Sequence, residues 1–522
     1  MKPFIGEPDE VITSPSDRVA RYASYGRWLL LLVLAGHLVF RREFAHRNLG
    51  DLMSLVGMTP PQFLSQAYVT EIVLLLLIPI AALVIWHRII RPTPLPPGSA
   101  MLQYGLGAGV FLAAAFLLWG FWHAISAANA GGDGYLIVRQ SFMCAYAVFF
   151  IYAFLFFGDQ AKFLQQAALF TIAVAVFCAV ADSFGVLKPR TIDPNYPDEP
   201  LFGQETLPIA ILGLSLFLIT VPNWYLAAPA AIALVLVGWR QSARLPQSVV
   251  PIAIAGAVVS YLLMAGLAII RGQTYTLKRA ILLVALFVVV FVGLRSFKKI
   301  DPKKNSEVQA WSPQKYRNLF ELYESTSVPA DSTAYVNSAR APGTRVTDPE
   351  VYKLNAVYEA AQAFGGTSVV NNIWRLLMWR RMSHDWSSGR PMYGAGVGKA
   401  WAYNDTLYHT KFHYESDRGG LNPHNSYLNI LYRFGAVGFG LLAATVLAVL
   451  FYAWRALRLR LYVGDVLLEG LLLYFFYTAV FSIFTVSLEG PSYALPFWIS
   501  LGLVYARARQ ILSLYGEGLQ YL

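Results

Sequence analysis

Charge is scarce in this chain. Asp, Glu, Lys and Arg make up 14% of its 522 residues, against about 25% in an ordinary soluble domain. That deficit excludes a cytosolic globular enzyme. The accompanying 56% of hydrophobic residues excludes intrinsic disorder. Only two cysteines occur, Cys144 and Cys178, and both fall inside apolar runs, so neither a disulfide-stapled secreted module nor a redox centre is supported. There is no Gly-x-Ser-x-Gly elbow for a serine nucleophile and no His-Glu-x-x-His for a zinc site. A cleavable signal peptide is not expected either, because Glu7, Asp9, Glu10 and Asp17 precede the first apolar run.

What the chain has is hydrophobic length. A membrane span needs about 20 mostly apolar residues. Runs of that kind centre on 22–40, 67–86, 101–122, 138–158, 163–187, 206–221, 225–238, 248–270, 279–297, 427–454, 464–487 and 493–507. The expected fold is therefore an all-α polytopic membrane protein with about twelve transmembrane helices. The net charge of +11 does not indicate nucleic acid, because the basic residues sit at the ends of these runs rather than on one soluble face. Lys and Arg collect at Arg88 and Arg91, at Arg271, Lys278 and Arg279, at Arg455, Arg458 and Arg460, and at Arg507 and Arg509. By the positive-inside tendency this places both ends in the cytoplasm. Arg41, Arg42 and Arg47, in the first outside loop, run against it.

The expected organisation is a cytoplasmic tail (1–21), spans one to nine (22–297), a large extracytoplasmic loop domain (298–425), spans ten to twelve (426–507) and a cytoplasmic tail (508–522). The loop domain carries 16 Lys/Arg and 12 Asp/Glu in 128 residues, with five of the chain's Trp and four of its eight His. A loop of this length is functional or disordered, and its aromatic content favours a folded, functional one.

Several residues there and at the outer span ends could carry chemistry. Arg240 and Arg244 stand four apart after an apolar run, on one face if the helix continues, and Arg139 opens the fourth span. A charge this close to lipid needs a partner or a water-filled cavity. The plainer reading is snorkelling to lipid phosphates. The sharper one is a clamp for an anionic lipid head, since guanidinium forks match phosphate oxygens bidentately. Asn371–Arg381 has helical spacing, Arg375 with Trp379, and could equally be an interfacial amphipathic helix. Gly394, Gly396 and Gly398, at spacing two, allow close backbone approach. His424 lies at the outer mouth of span ten; imidazole can take a proton near neutral pH, although Asn425 or Ser426 there could simply cap the helix. His409 and His413 have the spacing of a metal pair, but their sequence context is extended rather than helical, and no metal is expected.

Three stretches together resemble the O-antigen ligase and O-antigen polymerase family of bacterial envelope proteins. Leu236-Val237-Gly238-Trp239-Arg240 resembles the family's span ending in Arg, although Trp239 stands where Ser is usual. Arg375-x-x-x-Trp379 followed by Pro391 and Gly394-Ala395-Gly396-Val397-Gly398 resembles its Arg-x-x-x-Trp and Pro-x-x-Gly-x-Gly pattern. Pro423-His424-Asn425-Ser426-Tyr427-Leu428, then Arg433-Phe434-Gly435-Ala436-Val437-Gly438, resembles its His-Asn-x-Tyr-Leu and Gly-x-x-Gly signature. The likeness covers residues 205–455.

The resemblance implies a glycosyltransferase of the bacterial inner membrane with its active site facing the periplasm. Its donor would be an undecaprenyl-diphosphate-linked glycan, and its acceptor a sugar hydroxyl on lipid A core or on a growing polysaccharide. It implies inversion without a cofactor, with His424 as general base and Arg240 and Arg375 on the diphosphate. Arg244, Arg139 and Arg380 are further candidates for the diphosphate, and Asn425 and Tyr427 would position His424 or a sugar. Membrane lipids and a chain-length regulator or other envelope polysaccharide protein are the partners it admits. The competing class is a transporter or flippase of lipid-linked oligosaccharides, which would use intramembrane arginines without needing His424; a non-catalytic scaffold would need none of the three motifs.

Overall fold

The computed structural model describes residues 15–39, 68–86, 107–158, 160–184, 206–220, 224–244, 249–269, 313–327, 334–335, 345–346, 349–401, 424–459, 465–485 and 488–515, and the single residues 50, 53, 57, 58, 281, 282 and 285. Helix dominates throughout. The bundle consists of α1 (Pro15–Val39), α2 (Val69–Ile85), α3 (Gly107–Asn129), α4 (Gly134–Ala145), α5 (Val148–Phe157), α6 (Ala161–Ser183), α7 (Thr206–Thr220), α8 (Trp224–Arg244) and α9 (Val249–Ile269). After α10 (Pro313–Ser325) and α11 (Pro349–Ser388) it is completed by α12 (Ser426–Arg458), α13 (Val466–Phe484) and α14 (Pro491–Tyr515). A two-residue antiparallel ladder, β1 (Ala334–Tyr335) with β2 (Arg345–Val346), lies between α10 and α11.

Five segments among the described residues are long and apolar enough to cross a membrane: 107–129, 134–157, 162–181, 426–458 and 466–484. The second joins α4 and α5 across a tight turn at Tyr146 and Ala147. The protein is thus an all-α membrane protein. Helices coincide with eleven of the twelve apolar runs; the run 279–297 falls almost wholly outside the described residues. Boundaries differ at the ends. Helix α1 begins at Pro15, well before residue 22, and α14 continues through Arg509 and Gln510, both fully buried, to Tyr515. Residues 508–513 are therefore buried in the bundle, beyond the expected boundary at 507.

Two hydrophobic cores form. The larger runs through the bundle, where α12 packs on α3 and α14, and α13 on α9 and α14. The smaller joins α10 to α11 around Leu319, Val357, Ile373, Met378 and Trp401, with Leu428 and Tyr432 of α12 packed against it. The N-terminal end of α12 is therefore shared by both cores. Its 33 residues exceed the about 20 needed to cross the hydrocarbon.

Helix α12 is not continuous. Gly435 has φ 67° and ψ −173°, which breaks the α ladder. The glycine loop after α11 fills the break. Ala395 N–H donates to Tyr432 O (2.8 Å) and Gly396 N–H to Arg433 O (2.9 Å), while Ala436 and Val437 N–H donate to Pro391 O (2.8 Å) and Met392 O (3.2 Å). Trp119 Nε1 donates to Phe434 O (3.0 Å). Gly394, Gly396 and Gly398 all take positive φ, as their spacing suggested. A Cβ on Gly435 would overlap Met392 O, and one on Gly394 would overlap Arg433 O. We expect Gly435→Ala and Gly394→Ala each to destabilise the detergent-solubilised protein by about 2–4 kcal/mol, from left-handed backbone and overlap together. Gly440→Ala, with open space around its Cβ, should be neutral or mildly stabilising. Equal unfolding temperatures for Gly435→Ala and Gly440→Ala would remove the interlock from the fold's determinants.

Candidate functional site

The site assembles at the start of α12. His424 has φ 50°, and it alone among the described non-glycine residues has positive φ. Holding a residue other than glycine there costs about 1–3 kcal/mol and persists only where the surroundings impose it. The imposition is visible. Asn425, in extended conformation, caps α12 by accepting Leu428 N–H at 3.0 Å. Trp374 of α11 meets the His424 ring edge-on, with centroids 5.5 Å apart. Two stretches fifty residues apart, Trp374–Arg375 and His424–Asn425, are thereby brought together.

Below His424 a buried polar chain runs down one face of α12 through Ser426, Asn429 and Arg433, at i, i+3 and i+7. It starts at Glu489, in the short turn between α13 and α14. Ser426 Oγ lies 2.6 Å from Glu489 Oε2, and Asn429 Nδ2 donates to Glu489 Oε1 at 3.0 Å. Arg433 Nε then donates to Asn429 Oδ1 (3.2 Å), and its Nη1 to Lys399 O (3.4 Å). Burial raises the Glu489 carboxyl above the ordinary glutamate range; the bonds from Ser426 and Asn429 and the charge of nearby His424 offset this in part. A carboxylate here also faces the positive end of the α12 dipole. Glu489 is the residue the sequence reading missed. Its one signal was an acidic residue between two apolar runs, followed by Gly490-Pro491, a placement that calls for a buried partner.

The other expected site residues divide. Tyr427 Oη donates to Ala479 O at 3.0 Å, fastening α12 to α13. Arg375 is half-buried on α11, next to Trp374. Arg240 and Arg244 both lie in the last two turns of α8, so the helix does continue through the pair. Arg139 is paired at 2.8 Å with buried Glu71, which also accepts from Tyr146 Oη at 2.8 Å, and its guanidinium covers the Tyr68 ring. Arg380 pairs at 2.7 Å with Glu324 of α10, both well exposed. These two cations have carboxylate partners of their own. His409 and His413 lie outside the described residues. Among the described residues no three His, Cys, Asp or Glu side chains converge as a metal site would require. Comparison with protein-family models and with characterised proteins finds no match to this chain.

Burial makes the folded protein hold the Glu489 proton more tightly than the unfolded chain does. Its contribution to stability is therefore full below the ordinary value of 4.5 and is lost as pH rises through the higher folded-state value. We expect Glu489→Gln to flatten the fall in unfolding temperature with rising pH above that value, relative to wild type. Parallel profiles for the two proteins would show that other groups set the dependence.

Proposed function

We propose that this protein is a membrane glycosyltransferase of the O-antigen ligase and polymerase type. It transfers a glycan from an undecaprenyl-diphosphate carrier to a sugar hydroxyl, at the periplasmic face of a bacterial inner membrane. The observation that carries the reading is His424: strained, held at a helix mouth, and in ring contact with Trp374, the chain neighbour of the Arg375 that opens the Arg-x-x-x-Trp motif of the resemblance.

In this reaction the acceptor hydroxyl gives its proton to the His424 imidazole as its oxygen attacks the anomeric carbon. The bond from that carbon to the diphosphate oxygen breaks in the same displacement, so configuration inverts and the diphosphate leaves with the electron pair. Arg375 and Arg240 neutralise the developing charge in the role a divalent ion plays elsewhere. Arg244, one turn on, is a secondary contact, while Arg139 and Arg380, already paired with Glu71 and Glu324, contribute less. Glu489, close behind His424, favours the imidazolium formed in the step when it is ionised.

Twelve spans, with 298–425 as a periplasmic domain, complete the reading. The distribution of charge supports this orientation. Arg455 and Arg458 end α12, and Arg507 and Arg509 lie in the last turns of α14, at the opposite end of the bundle from His424. Arg507 is tied there to Asp465, the cap of α13.

A strain deleted for this protein, complemented with variants, provides the test by glycan gel. Wild type should restore a glycan species that His424→Ala does not, at equal expression. Single repeats left on the acceptor in the deletion strain would mark a polymerase, and polymer stranded on its carrier a ligase. Arg240→Lys should fail with Arg240→Ala if the phosphate contact is bidentate. Full restoration by His424→Ala would overturn the transferase and favour transport of the lipid-linked glycan.

A further inference from the structure

Beside the glycine loop, towards the N-terminal end of α12, a cavity of about 560 Å³ is lined by Arg381, Asp385, Trp386, Arg390, Lys399 and Tyr432. Their side chains are separate from those around His424, although the Lys399 carbonyl accepts from Arg433 at the end of the polar chain. Three cations face one acid, and that acid is already engaged: Asp385 pairs with Arg381 Nε at 3.1 Å and accepts from Trp401 Nε1 at 3.0 Å. Arg390 and Lys399 leave the cavity positive; among the described residues neither side chain has a carboxylate within ion-pair distance.

The walls are fixed before any ligand arrives. Arg390 O accepts Gly394 N–H at 2.7 Å, and Lys399 O accepts Gln140 Nε2 at 3.2 Å as well as Arg433 Nη1. Trp386 Nε1 donates to Pro391 O at 2.9 Å, and Trp401 meets Tyr432 edge-on. The lining therefore combines rigid aromatic faces with excess cationic charge. Aromatic faces are negative and attract the C–H edges of a saturated ring, and guanidinium and ammonium groups bind carboxylate or phosphate. Tyr432 is six residues beyond Ser426, about 9 Å along the helix, so a ligand here would lie near His424 without covering it.

We propose that this cavity binds a negatively charged sugar unit, a uronate or a phosphate-bearing ring, of the saccharide that reaches the His424 centre. The assignment of that saccharide rests on the transferase reading; the cation–aromatic cavity stands on its own geometry. The same anionic chemistry could be met by the phosphate of a bilayer lipid, and the test separates the two.

The full-length protein in phosphatidylcholine nanodiscs is titrated calorimetrically with sodium glucuronate and, separately, with glucose. Glucuronate should bind at least about tenfold more tightly than glucose, and Arg390→Gln/Lys399→Gln should remove about tenfold of its affinity, as expected for lost charge-assisted bonds. Both side chains are exposed, so the double variant should keep the wild-type unfolding temperature. Equal affinity for the two sugars, or glucuronate affinity unchanged in the double variant, overturns the proposal. Loss of glucuronate binding when phosphatidylglycerol is included assigns the cavity to lipid phosphate and overturns the saccharide. His424→Ala should bind glucuronate as wild type does even where it transfers nothing. A failed transfer assay with binding intact therefore removes the transferase reading alone, and intact transfer without binding removes the cavity alone.

Discussion

The interlock between a broken helix and a glycine loop supports the end of the bundle at which α12 begins. Where α12 departs from helical geometry at Gly435, carbonyl and amide groups on both sides lose their partners. In a chain surrounded by lipid each such group would cost several kcal/mol if left unsatisfied. The loop at 391–396 supplies four of the replacements. It can do so because two glycines, Gly394 and Gly435, let the backbones approach more closely than any Cβ would allow. The loop then carries Lys399, whose carbonyl holds Gln140 and Arg433, and Gly398, whose amide donates to Gln140 Oε1 at 2.8 Å and whose carbonyl accepts Asp133 N–H at 2.9 Å. Helices α4, α11 and α12 are registered to one another through this single loop.

The second constraint is electrostatic. A helix beginning at Ser426 presents unsatisfied amides and a partial positive charge. Asn425 caps one amide, and Glu489 answers the charge from another element. With the first turn of α12 held from outside by Trp374 and from beneath by Glu489, the backbone at His424 can be kept in the left-handed region. Without those contacts the chain would relax, gaining about 1–3 kcal/mol. Arg433 extends the same network inward, so the acid of the α13–α14 turn and the carbonyl of the glycine loop are linked by side-chain bonds through Asn429.

Legibility in the sequence followed the range of the interactions. Apolar runs are local, and eleven of the twelve reappear as helices. The alternating glycines were legible for the same reason: adjacent spacing-two glycines signal close approach whatever they approach. Their target, the break at Gly435, was not, because α12 reads as one uninterrupted apolar run. Glu489 is 63 residues from Ser426, and Glu71 is 68 from Arg139. At such separations a sequence can show that a charge near lipid needs a partner, but not which partner. Arg139 thus reads as a lesser candidate for phosphate, while its partner Glu71 is brought to it only by the fold. Asn425 shows the opposite bias, since the plain capping role weighed from its position is the one it performs.

The distribution of cations then discriminates among arginines that look equivalent on composition. A guanidinium paired with a carboxylate offers a phosphate little field, since the ligand must first compete with that acid. Arg139 has Glu71, Arg381 has Asp385, Arg380 has Glu324 and Arg507 has Asp465. These four bind the protein to itself, the two buried pairs, at Glu71 and Asp465, shielded from the solvent that screens the two exposed ones. The cavity cations Arg390 and Lys399 differ in kind: they are anchored by their backbones while their side chains face space bounded by Trp386 and Tyr432. Where an arginine has a carboxylate of its own its field is largely cancelled, and positive potential is left where such acids are withheld. Here they are withheld beside the helix break, within a few turns of the strained histidine. The same loop that repairs α12 therefore also decides where an anion can enter.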